Sequence, residues 1–156
     1  MSRRASPKSF AATIPITQSG CYSLIITLRS RKKIRVGRLG VGIFPAGTYV
    51  YTGSAMNGLG ARLRRHLRRN KKLHWHIDYL LASVQARIRK IIVYPPLPGQ
   101  ECRQNQKIAA LPGAAIVIEG FGATDCRRGC TSHLVYFSRA KQVKLTGGEI
   151  ISTTAL

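Results

Sequence analysis

The spacing of hydrophobic residues changes after residue 52, and this change restricts the fold more than any other feature of the chain. Residues 21–28 (CYSLIITL) are rich in β-forming side chains and predict a buried strand, and residues 48–52 (TYVYT) predict another. Leu59, Leu63 and Leu67 then recur at helical spacing. A chain that passes from strands to a helix buries both in one core, so we expect a small α/β or α+β domain.

The remaining pattern predicts a small central antiparallel sheet flanked by helices. We expect a tail at residues 1–19, where Pro7 and Pro15 discourage regular structure, one domain at 20–140 and a C-terminal tail at 141–156. The predicted elements are strand 32–37, a turn-rich segment 40–47, helix 74–83, strand 87–94, helix 100–111 and strands 114–119 and 134–138.

The charge of the chain is strongly one-sided. It has 26 Lys and Arg against five Asp and Glu, a net charge of +21, while 44% hydrophobic residues favour a folded domain over a basic tail. Such an excess repels itself, so we expect a polyanionic partner, with nucleic acid first and an anionic membrane surface second. No apolar run spans a bilayer, and residues 1–8 lead into no signal-peptide core. We therefore expect a cytoplasmic, nucleoid-associated protein, and we expect a monomer because the high positive charge discourages self-association.

The helix after residue 58 carries the densest positive charge. Arg62, His66 and Arg69 are spaced to share one face, with Arg65 beside it. A solvated charged face usually mixes signs, and this one contains no acid, which favours phosphate contact. The preceding loop 53–58 could present amides to a phosphate, although alone it is more often an ordinary turn. The predicted nucleic-acid contacts are Ser54, Arg65, Arg68, Arg69, Lys71 and Lys72.

These segments resemble the GIY-YIG nuclease superfamily. Gly20-Cys21-Tyr22 resembles its GIY element, and Tyr51-Thr52-Gly53 resembles its YIG element. Arg62, His66 and Glu101 follow where members of the superfamily place an arginine, a histidine and a metal-binding glutamate. Residues 74–80 and 120–134 resemble a small single-domain prokaryotic branch of poorly defined function. Isoleucine is replaced in both short motifs, and strand 32–37 lengthens the interval between them, which predicts an added hairpin.

The resemblance implies a metal-dependent endonuclease that hydrolyses phosphodiester bonds, with DNA favoured over RNA. It implies Glu101 on Mg²⁺ or Mn²⁺, Arg62 on the phosphate, and Tyr22 as general base or proton relay, and it suggests that Asp125 and His133 border the site. A free tyrosine has a pKa of about 10. If nearby cations favour the phenolate, activity rises toward alkaline pH. The implied catalytic residues are Tyr22, Tyr51, Arg62, His66 and Glu101.

Other interpretations of the same residues stay open. Tyr22 and Tyr51 could be core aromatics, and Glu101 could cap its helix as readily as it could bind metal. The chain could be a binding module that kept the fold and lost catalysis, or an assembly protein that meets ribosomal RNA or an acidic partner. The retained set of Tyr, Arg and Glu side chains favours the enzyme.

Thiols and imidazoles form a second group of candidate ligands. Cys102, Cys126, Cys130 and His133 could form a closed structural zinc site. The spacing is irregular and Cys102 is distant in sequence, which favours buried structural thiols. For His74, His76 and Asp78 we favour capping and packing at a helix start, with Trp75 in the core.

Overall fold

The computed structural model describes residues 18–156; the tail expected at residues 1–19 lies almost entirely outside the described residues. The fold is α+β, with antiparallel sheets flanked by helices, as predicted. The main sheet has the order β6-β4-β1-β5-β7, and β2 and β3 form a second, two-stranded sheet. The elements are β1 Gly20–Leu28, β2 Lys32–Arg35, β3 Val41–Phe44, β4 Gly47–Ala55, α1 Leu59–Leu67, α2 His76–Leu81, β5 Ala86–Tyr94, α3 Gln100–Ala109, β6 Leu134–Phe137 and β7 Glu149–Ile151.

Strand β1 is the centre of the main sheet and carries the first of the two motif tyrosines. It pairs antiparallel with β4 on one side and β5 on the other, and seven of its nine residues are fully buried. In the β1–β4 register Tyr22 lies opposite Gly53, and Leu24 lies opposite Tyr51. Side chains at alternate positions of a strand share a face, so the two tyrosines are diagonal neighbours on one face of the sheet.

Each face of the sheet is covered by a helical layer. Leu59 and Leu63 of α1 and Ile77 and Leu80 of α2 pack with Tyr22 on one face. On the other face, Ile108 of α3 packs with Val50, Val135 and Phe137. The helical spacing of the α1 leucines matches a helix with one apolar side against a sheet. These two layers place the first turns of α1 and α3 at the same end of β4, because both helices follow strands that end there.

The predicted hairpin lies between the two motif strands, but its second strand was not expected. Residues 40–47, predicted as turn-rich, contain β3, which pairs with β2. Gly42 lies within this strand. Its lack of a side chain leaves room for Ile118, since a Cβ there would lie 2.4 Å from Ile118 Cδ1. Glycine therefore marks close packing at this position rather than a turn.

Three other boundaries differ from the sequence prediction. Residues 114–119 form only an isolated bridge, between Ala115 and Tyr136 of the edge strand β6. Residues 53–55, assigned to a loop, continue β4. The C-terminal segment assigned to a tail contributes β7, which pairs with β5 through residues 149–151. Local composition did not indicate these differences, since strand pairing depends on which strands lie next to one another in the folded sheet.

Within residues 18–156, every helix is too short or too polar to cross a bilayer.

Candidate functional site

Three of the predicted catalytic side chains pack together in one cluster. The hydroxyl of Tyr22 is 2.7 Å from Nε2 of His66, and the two ring centroids are 5.4 Å apart. The ring of Tyr51 lies 6.4 Å from that of Tyr22 and 6.2 Å from that of His66, measured between centroids. Gly53 makes this packing possible, because a Cβ there would lie 2.8 Å from the Tyr22 hydroxyl. The glycine of the second motif therefore provides space for the tyrosine of the first.

Burial sets the protonation state of this cluster. It raises the pKa of Tyr22 well above 10.0, and although Arg62 acts in the opposite direction it does not reverse the shift. Burial, with Lys71 and two arginines adding to it, lowers the pKa of His66 to about 3. Both groups are neutral at physiological pH. The expectation that cations would favour the Tyr22 phenolate is therefore wrong, because desolvation outweighs them.

Arg62 is held at the edge of the cluster. Its Nη1 donates to the Ser54 carbonyl at 3.2 Å, and its guanidinium lies 4.0 Å from the centroid of the Trp75 ring. Trp75 is half-buried at the edge of the core, not enclosed in it as expected. A guanidinium stacked on an aromatic face keeps its charge and has few conformations to lose on binding a phosphate.

Two of the predicted nucleic-acid contacts have structural partners instead. Arg65 forms a two-pronged ion pair with Asp78, at 2.8 and 2.9 Å, and the carboxylate of Asp78 is fully buried. Asp78 also accepts hydrogen bonds from the His74 and Trp75 amides, which confirms the predicted capping role. Lys71 donates to the carbonyls of Arg65 and His66 and so caps α1. Arg65 and Lys71 therefore join α1 to the segment before α2.

Three of the predicted contacts present their side chains to solvent. Arg68, Arg69 and Lys72 are exposed at and beyond the end of α1. Arg64, in the last turn of α1, is exposed as well. These cations lie where a phosphate backbone could contact them, whereas Arg65 and Lys71 are already engaged.

Glu101 lies in the first turn of α3 and points toward β4. Its Oε2 accepts a hydrogen bond of 2.6 Å from the Ser54 hydroxyl, and its Oε1 is 2.8 Å from Nδ1 of His133. Burial raises the pKa of Glu101, but the hydrogen bonds from His133 and Ser54 lower it more, so it falls below its usual 4.5. The side chain is 29% exposed. Its hydrogen bonds thus go to Ser54 and His133, and the glutamate is an ionised group with one side open to solvent.

The second group of candidate ligands also comes together. Ligand atoms of Cys102, Cys126, Cys130 and His133 lie within 4.8 Å of one another and could hold a metal ion. The four cysteines of the chain are free thiols, and the three in this cluster are partly accessible rather than buried. Burial raises the pKa of Cys126, but the Arg128 and Cys130 amides lower it to about 6, favouring the thiolate. The four residues were named from the sequence, but their irregular spacing favoured separate buried thiols, because α3 and the 126–133 loop meet only in the folded chain.

A cleft of about 780 Å³ connects Glu101, the cysteine cluster and the edge of the tyrosine cluster. Tyr51, Ser54, Trp75, Glu101 and His133 line it, whereas Tyr22 is fully buried beside it. Three exposed charged side chains also line the cleft, and only the first was expected from the sequence to border the site. They are Asp125, Arg127 and Arg128.

Arg127 and Arg128 were missed because they lie in a loop without periodicity. The guanidinium of Arg128 lies over Gly99, where a Cβ would be only 2.6 Å from its Nη1. Gly99 immediately precedes α3 and has a φ of +70°, so both its conformation and this contact favour glycine. Gly99, two residues before Glu101, was therefore a usable sequence signal that another side chain packs closely against the start of α3.

Comparisons with known proteins identify a family but no activity. Neither the curated proteins nor the solved structures include a significant match to this chain. One family model, described as a domain of unknown function, matches residues 21–155, which include all of the described helices and strands except the first residue of β1. The chain therefore belongs to the DUF123 family.

Proposed function

We propose that this protein is a metal-dependent endonuclease that hydrolyses phosphodiester bonds in nucleic acid, with DNA favoured over RNA. The observation that carries the proposal is the convergence of Tyr22, Tyr51, Arg62 and His66 beside a cleft bordered by Glu101. These are the residues that the GIY-YIG resemblance selects, and they come from three separate elements. A net charge of +21 and the exposed arginines at the end of α1 favour an anionic polymer as substrate.

The carboxylate of Glu101 suits a hard divalent cation. Each of its oxygens accepts one hydrogen bond and retains a further lone pair, and the side chain is partly open to the cleft. Mg²⁺ takes one or two carboxylates and keeps several waters, so one glutamate is sufficient. Bound there, Mg²⁺ or Mn²⁺ would supply Lewis-acid stabilisation of the phosphate charge. Zn²⁺ suits the other cluster instead, because three sulfurs and an imidazole are its usual structural ligands.

The protein side chains would then bind the phosphate and move a proton. Arg62, fixed between Ser54 and Trp75, would bind a non-bridging phosphate oxygen. Tyr22 would act as a proton relay, with its hydroxyl held in the 2.7 Å hydrogen bond to Nε2 of His66. A relay does not require a free phenolate, which agrees with the raised pKa of Tyr22. Tyr51, in the cleft wall against both rings, would position the water.

The test is cleavage of labelled duplex, branched and single-stranded DNA and RNA in Mg²⁺, Mn²⁺ or EDTA. We expect cleavage that requires the metal and that Arg62→Ala and Glu101→Gln abolish while nucleic-acid binding persists. Tyr49→Phe is the control for a substitution outside the site and should leave cleavage intact, since the Tyr49 hydroxyl donates to the Pro45 carbonyl away from the cleft. Metal-independent cleavage, or cleavage unaffected by both substitutions, would exclude this assignment of the site.

One observation favours a second candidate, a nucleic-acid-binding module without catalysis. Tyr22 is fully buried, and no part of it lines the cleft. A module of this kind would bind with steep salt dependence and cut none of the substrates in any metal. The same panel distinguishes the two candidates.

A further inference from the structure

We infer that a zinc ion on Cys102, Cys126, Cys130 and His133 would lock His133 as a hydrogen-bond donor to Glu101, so that the zinc cluster positions the carboxylate of the cleft. The zinc site stands on its own geometry, and only the purpose of the positioning rests on the proposed nuclease function. The cysteines would then be part of the architecture of the cleft rather than a separate stabilising element.

The spacing of the ligand atoms fits a tetrahedral site. With Zn–S bonds of about 2.3 Å and Zn–N bonds of about 2.0–2.1 Å, tetrahedral ligands lie about 3.5–3.8 Å apart. The Sγ atoms of Cys102 and Cys126 are 3.6 Å apart, and Cys102 Sγ is 3.9 Å from Nε2 of His133. All four ligand atoms lie within 4.8 Å of one another, so small side-chain rotations would complete the coordination. The thiols would release their protons on binding.

His133 has its two ring nitrogens directed at two different sites. Nε2 faces the sulfurs of the cluster, and Nδ1 is 2.8 Å from Oε1 of Glu101. Only a neutral imidazole can bind a metal, and when Nε2 binds it, Nδ1 must carry the hydrogen. The hydrogen bond is then fixed in direction, with Nδ1–H donating to the carboxylate.

Both residues of this hydrogen bond are also held through the backbone, His133 by hydrogen bonds of its own peptide groups and Glu101 by its neighbour Cys102. The amide of Thr52 in β4 donates to the His133 carbonyl at 3.1 Å, and the His133 amide donates to the Phe121 carbonyl at 2.8 Å. Glu101 precedes Cys102 in the first turn of α3. An ion bound by Cys102 and His133 would therefore hold both partners of the Glu101–His133 bond at a fixed separation.

The zinc part is tested by metal content. We expect the purified full chain to hold one equivalent of zinc by mass spectrometry, and Co²⁺ substituted for it to show the intense visible bands of tetrahedral thiolate coordination. Cys130→Ser should lose the metal. Cys21→Ala is the matched control and should retain it, because Cys21 lies on β1 outside the cluster. A wild-type chain that takes up neither zinc nor cobalt would overturn the inference.

The positioning part needs a variant that keeps zinc and loses the donor. His133→Cys supplies a fourth thiolate but no Nδ1–H, so zinc should stay bound while Mn²⁺ binding, followed by electron paramagnetic resonance, weakens about 10–100-fold. Cys130→Ser should weaken Mn²⁺ binding to a similar extent. Zinc loss in Cys130→Ser with unchanged Mn²⁺ affinity would show that the cluster does not position Glu101.

A readout independent of Mn²⁺ separates this inference from the proposed function. Nitrogen-15 NMR of the His133 ring should show Nε2 bound to zinc and a protonated Nδ1 whose hydrogen exchanges slowly with water. That protection should disappear in Glu101→Ala while zinc remains. If wild type binds no Mn²⁺ but shows this pattern, the nuclease proposal fails and the link between zinc and Glu101 stands. A zinc-loaded chain whose Nδ1 hydrogen is unprotected would refute the link.

Discussion

The hydroxyl of Tyr22 on β1 lies 2.7 Å from Nε2 of His66 on α1, inside a cluster with no solvent exposure at the tyrosine. Nδ1 of His66 is also buried and has no hydrogen-bond partner among the described residues. The Tyr22 hydroxyl is thus the one observed polar partner of this imidazole in that part of the chain. The pair is consequently important both for stability and, in our proposal, for the relay.

Tyr22→Phe should reduce the free energy of unfolding by about 1–3 kcal/mol, because it leaves a buried imidazole unsatisfied. It should also abolish cleavage. Urea denaturation and the cleavage assay measure the two effects separately. Tyr49→Phe removes another tyrosine hydroxyl bond and should leave cleavage intact; equal loss of cleavage in both variants would point to a general folding defect.

Asp78→Asn should destabilise the protein by about 3–5 kcal/mol, since it breaks a buried ion pair and leaves Arg65 without its carboxylate. Denaturant unfolding followed by circular dichroism measures the change. Glu119→Gln removes an exposed acid instead and should change the free energy by less than about 0.5 kcal/mol. A loss below 1 kcal/mol in Asp78→Asn would contradict the structural role assigned to Arg65.

Low pH should remove the contribution of Asp78 to the free energy of unfolding. Burial raises the pKa of Asp78, but hydrogen bonds from Arg65 and the His74 and Trp75 amides lower it further, giving a net shift below 3.8. A depressed folded-state pKa means that this stability is complete above 3.8 and is lost as pH falls through the folded value. Wild-type stability should therefore fall more steeply than that of Asp78→Asn below pH 3.8. Parallel curves of unfolding free energy against pH would argue against this linkage.

Arg69→Ala should weaken nucleic-acid binding and reduce the slope of log affinity against log salt by about 0.9, the value for one lost phosphate contact. Arg69 is exposed beyond α1 and has no role in the helix-to-helix contacts described above. Lys141→Ala is the control: this exposed lysine follows β6 at the end of the sheet where Thr48 pairs with Phe137, away from Ser54. Fluorescence anisotropy over a salt series gives the slope for each variant. Equal slopes would show that Arg69 does not contact a phosphate.

Ser54→Ala should weaken Mn²⁺ binding at Glu101 about 10-fold, because it removes the 2.6 Å hydrogen bond that orients the carboxylate and lowers its pKa. Isothermal titration calorimetry measures the affinity. Ser138→Ala changes an exposed serine beyond β6 and should leave it unchanged. Unaltered Mn²⁺ affinity in Ser54→Ala would show that Ser54 does not orient Glu101 for metal binding.

Local sequence patterns predicted most of the elements but not all the pairings. Strands β1, β4 and β5 and helix α1 have clear hydrophobic patterns, and α3 follows a Pro- and Gly-rich break at residues 95–99, so their positions were predicted to within a few residues. Strands β3 and β7 were missed, because a three- or four-residue strand containing or following glycine has little pattern of its own. Residues 114–119 have the composition of a strand but form only one bridge to β6.

The sequence by itself determined the fold class, the strong positive charge and which tyrosine, arginine, histidine and glutamate side chains to examine as candidate site residues. Only the tertiary structure decided their states and partners. Desolvation keeps Tyr22 neutral despite the surrounding cations, and a buried carboxylate diverts Arg65 from solvent. The meeting of α3 with the 126–133 loop brings Cys102 to His133 and His133 to Glu101. Burial and long-range contact produce these effects, and neither is encoded in the spacing of neighbouring residues.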